Sequence, residues 1–206
     1  MLFRSGTAPC ASCPTSVPYA LARPALRRAV QAAFPTAQEA RLAMEATRRV
    51  ETYATHQPAY DNNYRKTVEA RGTEAVLNAL ILSRSEVGPN ADALKKAFAR
   101  LWETQRGDGA WEWLEFGLEP FETVDGAYQG ATLAAMAVAL GRPSFGPDSA
   151  SIRAAAFGEE RLRGYLRTNF ASQRLFNRAW ALIANSQLTG LLSLADREAA
   201  VGDLVR

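Results

Sequence analysis

Two kinds of helical pattern alternate along residues 72–206, and this alternation limits the fold more than any other feature of the chain. "GTEAVLNALILS" (72–83) is apolar nearly all round, the pattern of a helix enclosed on every side. "PNADALKKAFARLWETQ" (89–105) instead puts Leu94, Ala97, Phe98, Leu101 and Trp102 on one stripe, with Lys95, Lys96, Arg100 and Glu103 outside it, as a surface helix does. "ETVDGAYQGATLAAMAVALG" (122–141) is again small and apolar all round, and Gly141 with Pro143 stops it. Residues 152–170 are amphipathic, 174–187 apolar and 194–206 amphipathic, with Asp196 as an early-turn acid. Upstream, Thr36 with Glu39 three residues on is a capping-box pattern that opens a helix over about 37–55. Pro24 suits the first turn of a helix running toward Phe34, and "HQPAYDNN" reads as a turn. Alternating β-branched runs are absent, so the chain reads as all-α.

Three enclosed-plus-surface pairs in a row stack as a solenoid or close as an α/α toroid, enclosed helices inside and amphipathic ones outside. An ordinary helical bundle produces the same alternation. The expected architecture is a partial α/α barrel of about three such hairpins. The length of 206 residues suits one domain, placed at 24–206 after an N-terminal segment at 1–23. Charged residues at 22% and hydrophobic ones at 48% exclude wholesale disorder. The apolar runs fall short of the ~20 residues of a membrane-spanning helix, and "MLFRSGTAPC" lacks the apolar core of a signal peptide. The expected location is therefore the cytoplasm or a membrane surface. A net charge of +3, with no Lys/Arg stripe interleaved with aromatics, points away from nucleic acid. Acids crowd residues 103–125 (Glu103, Asp108, Glu112, Glu115, Glu119, Glu122, Asp125), but their spacing fits no Ca²⁺ loop. A solvated acidic loop is expected there, with no metal and no cofactor.

"QRGDGAWEW" (105–113) joins a surface helix to an enclosed one. Gln105 can hydrogen-bond backbone at a neighbouring helix end, Trp111 can cover that amide, and Gly107 and Gly109 allow a tight path. Such a turn would staple one hairpin to the next. Lys96-Ala97, Leu101-Trp102, Gln105, Gly109 and Trp111 resemble the QW motif of the terpene cyclases, the squalene–hopene cyclase group. "GTEAVLNALIL", "GAWEWLEFGLEPFE", "AYQGATLAA" and "NRAWALIANSQLTGLLS" extend the resemblance over roughly residues 9–206. It implies an α/α-barrel fold and a polyprenyl or triterpene lipid as substrate or ligand, with peripheral membrane contact. The chemistry implied is that of a cyclase or isomerase: protonation of an alkene, cation cyclisation and deprotonation. The Asp-x-Asp-Asp acid of true squalene–hopene cyclases is missing here. Three hairpins are about half of a six-hairpin ring, so a fragment, a short form or a ring completed by homodimerisation is implied.

An acid facing an apolar lumen would stay protonated, because burial disfavours the carboxylate. Glu122, Asp125 and Tyr128, expected to begin the enclosed helix on or near one face, are the catalytic candidates; Glu74 begins another. Acids in a first helical turn also serve the helix dipole, and that reading stays open for each. Aromatic faces would stabilise cations, which makes Trp113, Phe116, Phe121, Phe176 and Trp180 the substrate-binding candidates beside a plain role in core packing. The alternative function is a non-catalytic helical scaffold that binds a lipid or protein partner in its concave face.

Cys10 and Cys13 form a lone C-x-x-C. A redox disulfide, half of a zinc site, haem attachment and two free thiols are all open from spacing alone. In the group it resembles, a C-x-x-C-H-T run precedes the segment matching "PYALARP"; here Pro14 stands where the His would be.

Overall fold

The computed structural model describes residues 13–32, 34–55, 63–86, 91–141 and 149–206. Eight helices lie among them: α1 (Cys13–Ala29), α2 (Ala37–Glu51), α3 (Tyr64–Arg84), α4 (Ala91–Glu103), α5 (Gly126–Gly141), α6 (Ser149–Asn169), α7 (Leu175–Gln187) and α8 (Leu194–Leu204). No strand is present among the described residues, and the chain is all-α. Two capping boxes fix helix starts. At α2, Thr36 Oγ1 accepts from the Glu39 amide at 3.3 Å while Glu39 returns a carboxylate to the Thr36 amide at 2.8 Å. At α8, Ser193 and Asp196 repeat the exchange. Each box satisfies donors that a helix start leaves open.

Several boundaries differ from those expected. α1 begins at Cys13 and carries Pro18 and Pro24 inside it, so it runs through the 23/24 position and packs on α2 and α3. Cys10 lies outside the described residues, and Cys13 is described only as the first residue of α1. α3 starts at Tyr64 rather than near 72, because Asn63 caps it through the Lys66 amide at 3.2 Å. The hairpins therefore number four, not three: α1/α2, α3/α4, α5/α6 and α7/α8.

The hairpins form two rows. α1, α3, α5 and α7 pack in sequence as one row, and α2, α4 and α6 as the other. α3 and α5 share the most extensive contact. From Glu69 to Ile81 most of α3 is buried, and α5 is buried over nearly its whole length, as all-round apolar helices should be. α7 departs from that expectation. It packs on α5 and α8, and only Asn177, Ala181, Ala184 and Asn185 are buried; Leu175 and Ile183 stay 42% and 46% exposed. No extensive packing joins α1 to α7. Among the described residues no helix is long and apolar enough to cross a membrane.

Glycines let the rows close up. A Cβ at Gly72 in α3 would overlap the Glu112 carbonyl oxygen, and a Cβ at Gly130 in α5 would overlap the Trp113 ring. The first obstacle is backbone and cannot rotate away. Gly72→Ala is expected to cost about 1–3 kcal/mol through overpacking, read as a lower urea midpoint with an unchanged slope.

Candidate functional site

Between α4 and α5 the chain runs through residues 104–125 with no helix, longer than an idle connection in a helical domain. It is held on three sides. Toward α6, the Gln105 side-chain amide donates to the Gly109 carbonyl at 3.0 Å and the Gly158 carbonyl at 2.9 Å, and its oxygen accepts from Arg161 at 2.7 Å. Gly158 and Arg161 lie in the body of α6, not at its end, so the staple crosses to the middle of that helix. Trp111 is fully buried and donates from Nε1 to the Leu101 carbonyl at 2.8 Å. Trp102 lies 6.4 Å from the Trp111 ring, in the space that the absent side chain of Gly158 leaves.

Toward α3, the anchor is Glu69, buried to 3% exposure. Its carboxylate takes Arg65 Nε at 2.8 Å, Lys66 Nζ at 2.5 Å and the Glu115 amide at 3.2 Å. Burial alone would raise its pKa; Lys66, the Glu115 amide and Arg65 outweigh burial and hold it below the usual carboxyl range. The Leu114 amide adds a bond to Thr73 Oγ1 at 2.9 Å. Sequence reasoning missed Glu69. The signal was there, in basic residues three and four positions before it on one helix face.

Toward α5, Trp113 fills the space over Gly126 and Gly130 and donates to the Phe121 carbonyl at 2.9 Å. Glu122 exchanges backbone bonds with Leu118, at 2.9 and 3.0 Å. This holds residues 118–122 in a loop, so α5 opens at Gly126, four residues later than expected. Glu122 and Asp125 therefore precede the helix rather than begin it.

The predicted site residues separate accordingly. Tyr128 is 1% exposed; its hydroxyl donates to the Leu166 carbonyl at 3.0 Å, and burial pushes its pKa far up. Asp125 accepts from Arg174 Nε at 2.9 Å, and Glu119 accepts from the same guanidinium at 2.8 Å. Glu122 is half-buried, and burial raises its carboxyl above the ordinary range against an opposing effect of Lys66. Phe116 is exposed and lies under the Lys66 ammonium at 4.8 Å. Trp113 is built into α5. Phe121, Phe176 and Trp180 come together as one aromatic row, with edge-on ring contacts of 5.7 and 6.3 Å. The acids of 103–125 mostly meet arginine: Glu103 with Arg100, Asp108 and Glu112 with Arg106, Glu115 with Arg65. Compared with known proteins, the chain matches no family model, no curated protein and no solved structure.

Two variants test this anchoring. Gln105→Ala removes three hydrogen bonds, one of them charge-assisted, and should cost about 2–4 kcal/mol in denaturant unfolding. For Glu69, the lowered folded pKa means its stabilisation is present above the unfolded carboxyl pKa and is lost as pH falls through the folded value. Glu69→Gln should therefore be less stable at neutral pH and lose less of its stability in acid than the parent, measured by urea midpoints across that range.

Proposed function

We propose that this chain is a squalene–hopene cyclase-like helical-hairpin protein that binds a polyprenyl or triterpene lipid along the aromatic row of α7. The observation that carries this reading is the row itself. Phe121, Phe176 and Trp180 meet edge to face, and Ile183 extends the same helix face at 46% exposure, on a helix that packs on α5 and α8. Adjacent ring edges and faces give an apolar strip suited to an extended polyprenyl or polycyclic hydrocarbon. The Gln105 staple between successive hairpins supports the family resemblance, since a QW turn is expected to link neighbouring hairpins in this way. In this reading the four hairpins are part of an α/α toroid that a second copy completes.

Binding is better supported than cyclisation. Asp125 already accepts from Arg174, and Tyr128 is sealed in the core with its proton committed to Leu166. Glu122 alone combines partial burial with a raised carboxyl pKa, next to Phe121 in the chain. If turnover occurs, Glu122 is the group that would hand a proton to the alkene.

Mass spectrometry of lipid extracted from the purified protein, with squalene titration followed by tryptophan fluorescence, tests the reading. Phe176→Ala should weaken squalene binding by about tenfold or more, the equivalent of losing one buried aromatic side chain. Any cyclised product should vanish in Glu122→Gln and persist in Asp125→Asn. A lipid-free protein whose fluorescence ignores squalene would sink the proposal.

A further inference from the structure

At the other end of the inner row, four arginines gather around two carboxylates. Arg27, 5% exposed, donates from Nε to Glu39 at 2.9 Å and also pairs with Glu86; Arg28 reaches Glu86 at 2.8 Å. These contacts occupy both acids, and Glu39 is further engaged by its capping box. Arg23 pairs loosely with Glu39 at 3.7 Å, and among the described residues Arg84 donates to the Leu21 carbonyl at 2.7 Å. The cluster carries a surplus of two positive charges.

Arg23 and Arg84 both line a cleft of about 30 Å³, whose walls also include Ala20, Leu42 and Ile81 and the arginine-paired carboxylates Glu39 and Glu86. The Nε atoms of both arginines are buried and have no hydrogen-bond partner among the described residues. A buried guanidinium donor left unpaired is costly, and here two of them stand beside one cleft. Burial first, and then repulsion from Arg28, lowers the pKa of Arg84 against an opposing effect of Glu86.

We infer that the cleft between α1, α2 and α3 binds a small oxyanion, a phosphate or carboxylate group, held between the guanidinium groups of Arg23 and Arg84. The Nε–H of each arginine is the donor left for the anion, and charge-assisted bonds from arginine to an oxyanion are among the strong ones. The volume admits the anionic head and little more. This site is remote in sequence from the aromatic row of α7 and does not depend on lipid binding there.

The test is titration of the full chain with inorganic phosphate, and separately with acetate, against chloride at constant ionic strength. Melting temperature and the arginine Nε–H resonances are the two readouts. Saturable stabilisation is expected at millimolar anion, with two arginine Nε–H signals moving together, and about tenfold weaker binding in Arg23→Met. Arg23 is partly exposed, so that variant keeps the fold even if Arg84→Met does not. A response to phosphate alone assigns a phosphoryl group, and a response to acetate alone a carboxylate. Absence of saturable binding for both, or equal binding by Arg23→Met and the parent, overturns the site.

Discussion

Residues 104–125 approach three helices at backbone distance, and most of the structure depends on that approach. Gly72 gives way to Glu112 on α3, Gly126 and Gly130 give way to Trp113 on α5, and Gly109 lies against the backbone of Arg161 on α6. Side chains at these four positions would push the helices apart. Because they are absent, one irregular segment acts as a common spacer and sets the distance between the rows. Its polar groups then find partners on the helices it touches: Gln105 on Gly158 and Arg161, Leu114 on Thr73, Glu115 on Glu69. The buried glutamate and the glutamine amide are thus consequences of close packing, not independent decorations.

Much of the local structure was legible in the sequence. Thr36 with Glu39 specifies a helix start by itself, because both bonds of the box are made within four residues. The apolar stripe of 94–102 and the all-round apolar runs of α3 and α5 depend on helical period alone and were found where expected. What escaped depended on loop contacts or on partners further along the chain. The start of α5 is delayed by Trp113 gripping the Phe121 carbonyl, a contact that no local pattern encodes. α1 keeps two prolines inside it while packing on α2 and α3, which local propensity would have refused.

The site residues were less legible than the helices, for a related reason. Type and spacing marked Asp125 and Tyr128 as candidates, but their chemistry is decided by Arg174, 49 residues on, and by the Leu166 carbonyl, 38 residues on. The aromatic row was visible as a set of aromatic positions, and it needed the fold to bring Phe121 to Phe176. The arginine cleft had no signature at all, since Arg23 and Arg84 are 61 positions apart and ordinary in composition.

α7 sits at one end of the inner row, with α5 on one side, α8 beyond, and a face left to solvent. The hairpin α7/α8 therefore has less surface to lose on detaching than any hairpin in the middle of the array. Stability in such a row is distributed unevenly, and terminal units open at lower free energy than the units they cap. The aromatic row spans the join to that hairpin: Phe121 belongs to the spacer, Phe176 and Trp180 to α7. A hydrocarbon lodged there would tie the two together, and its binding would be felt as the slowing of a local unfolding.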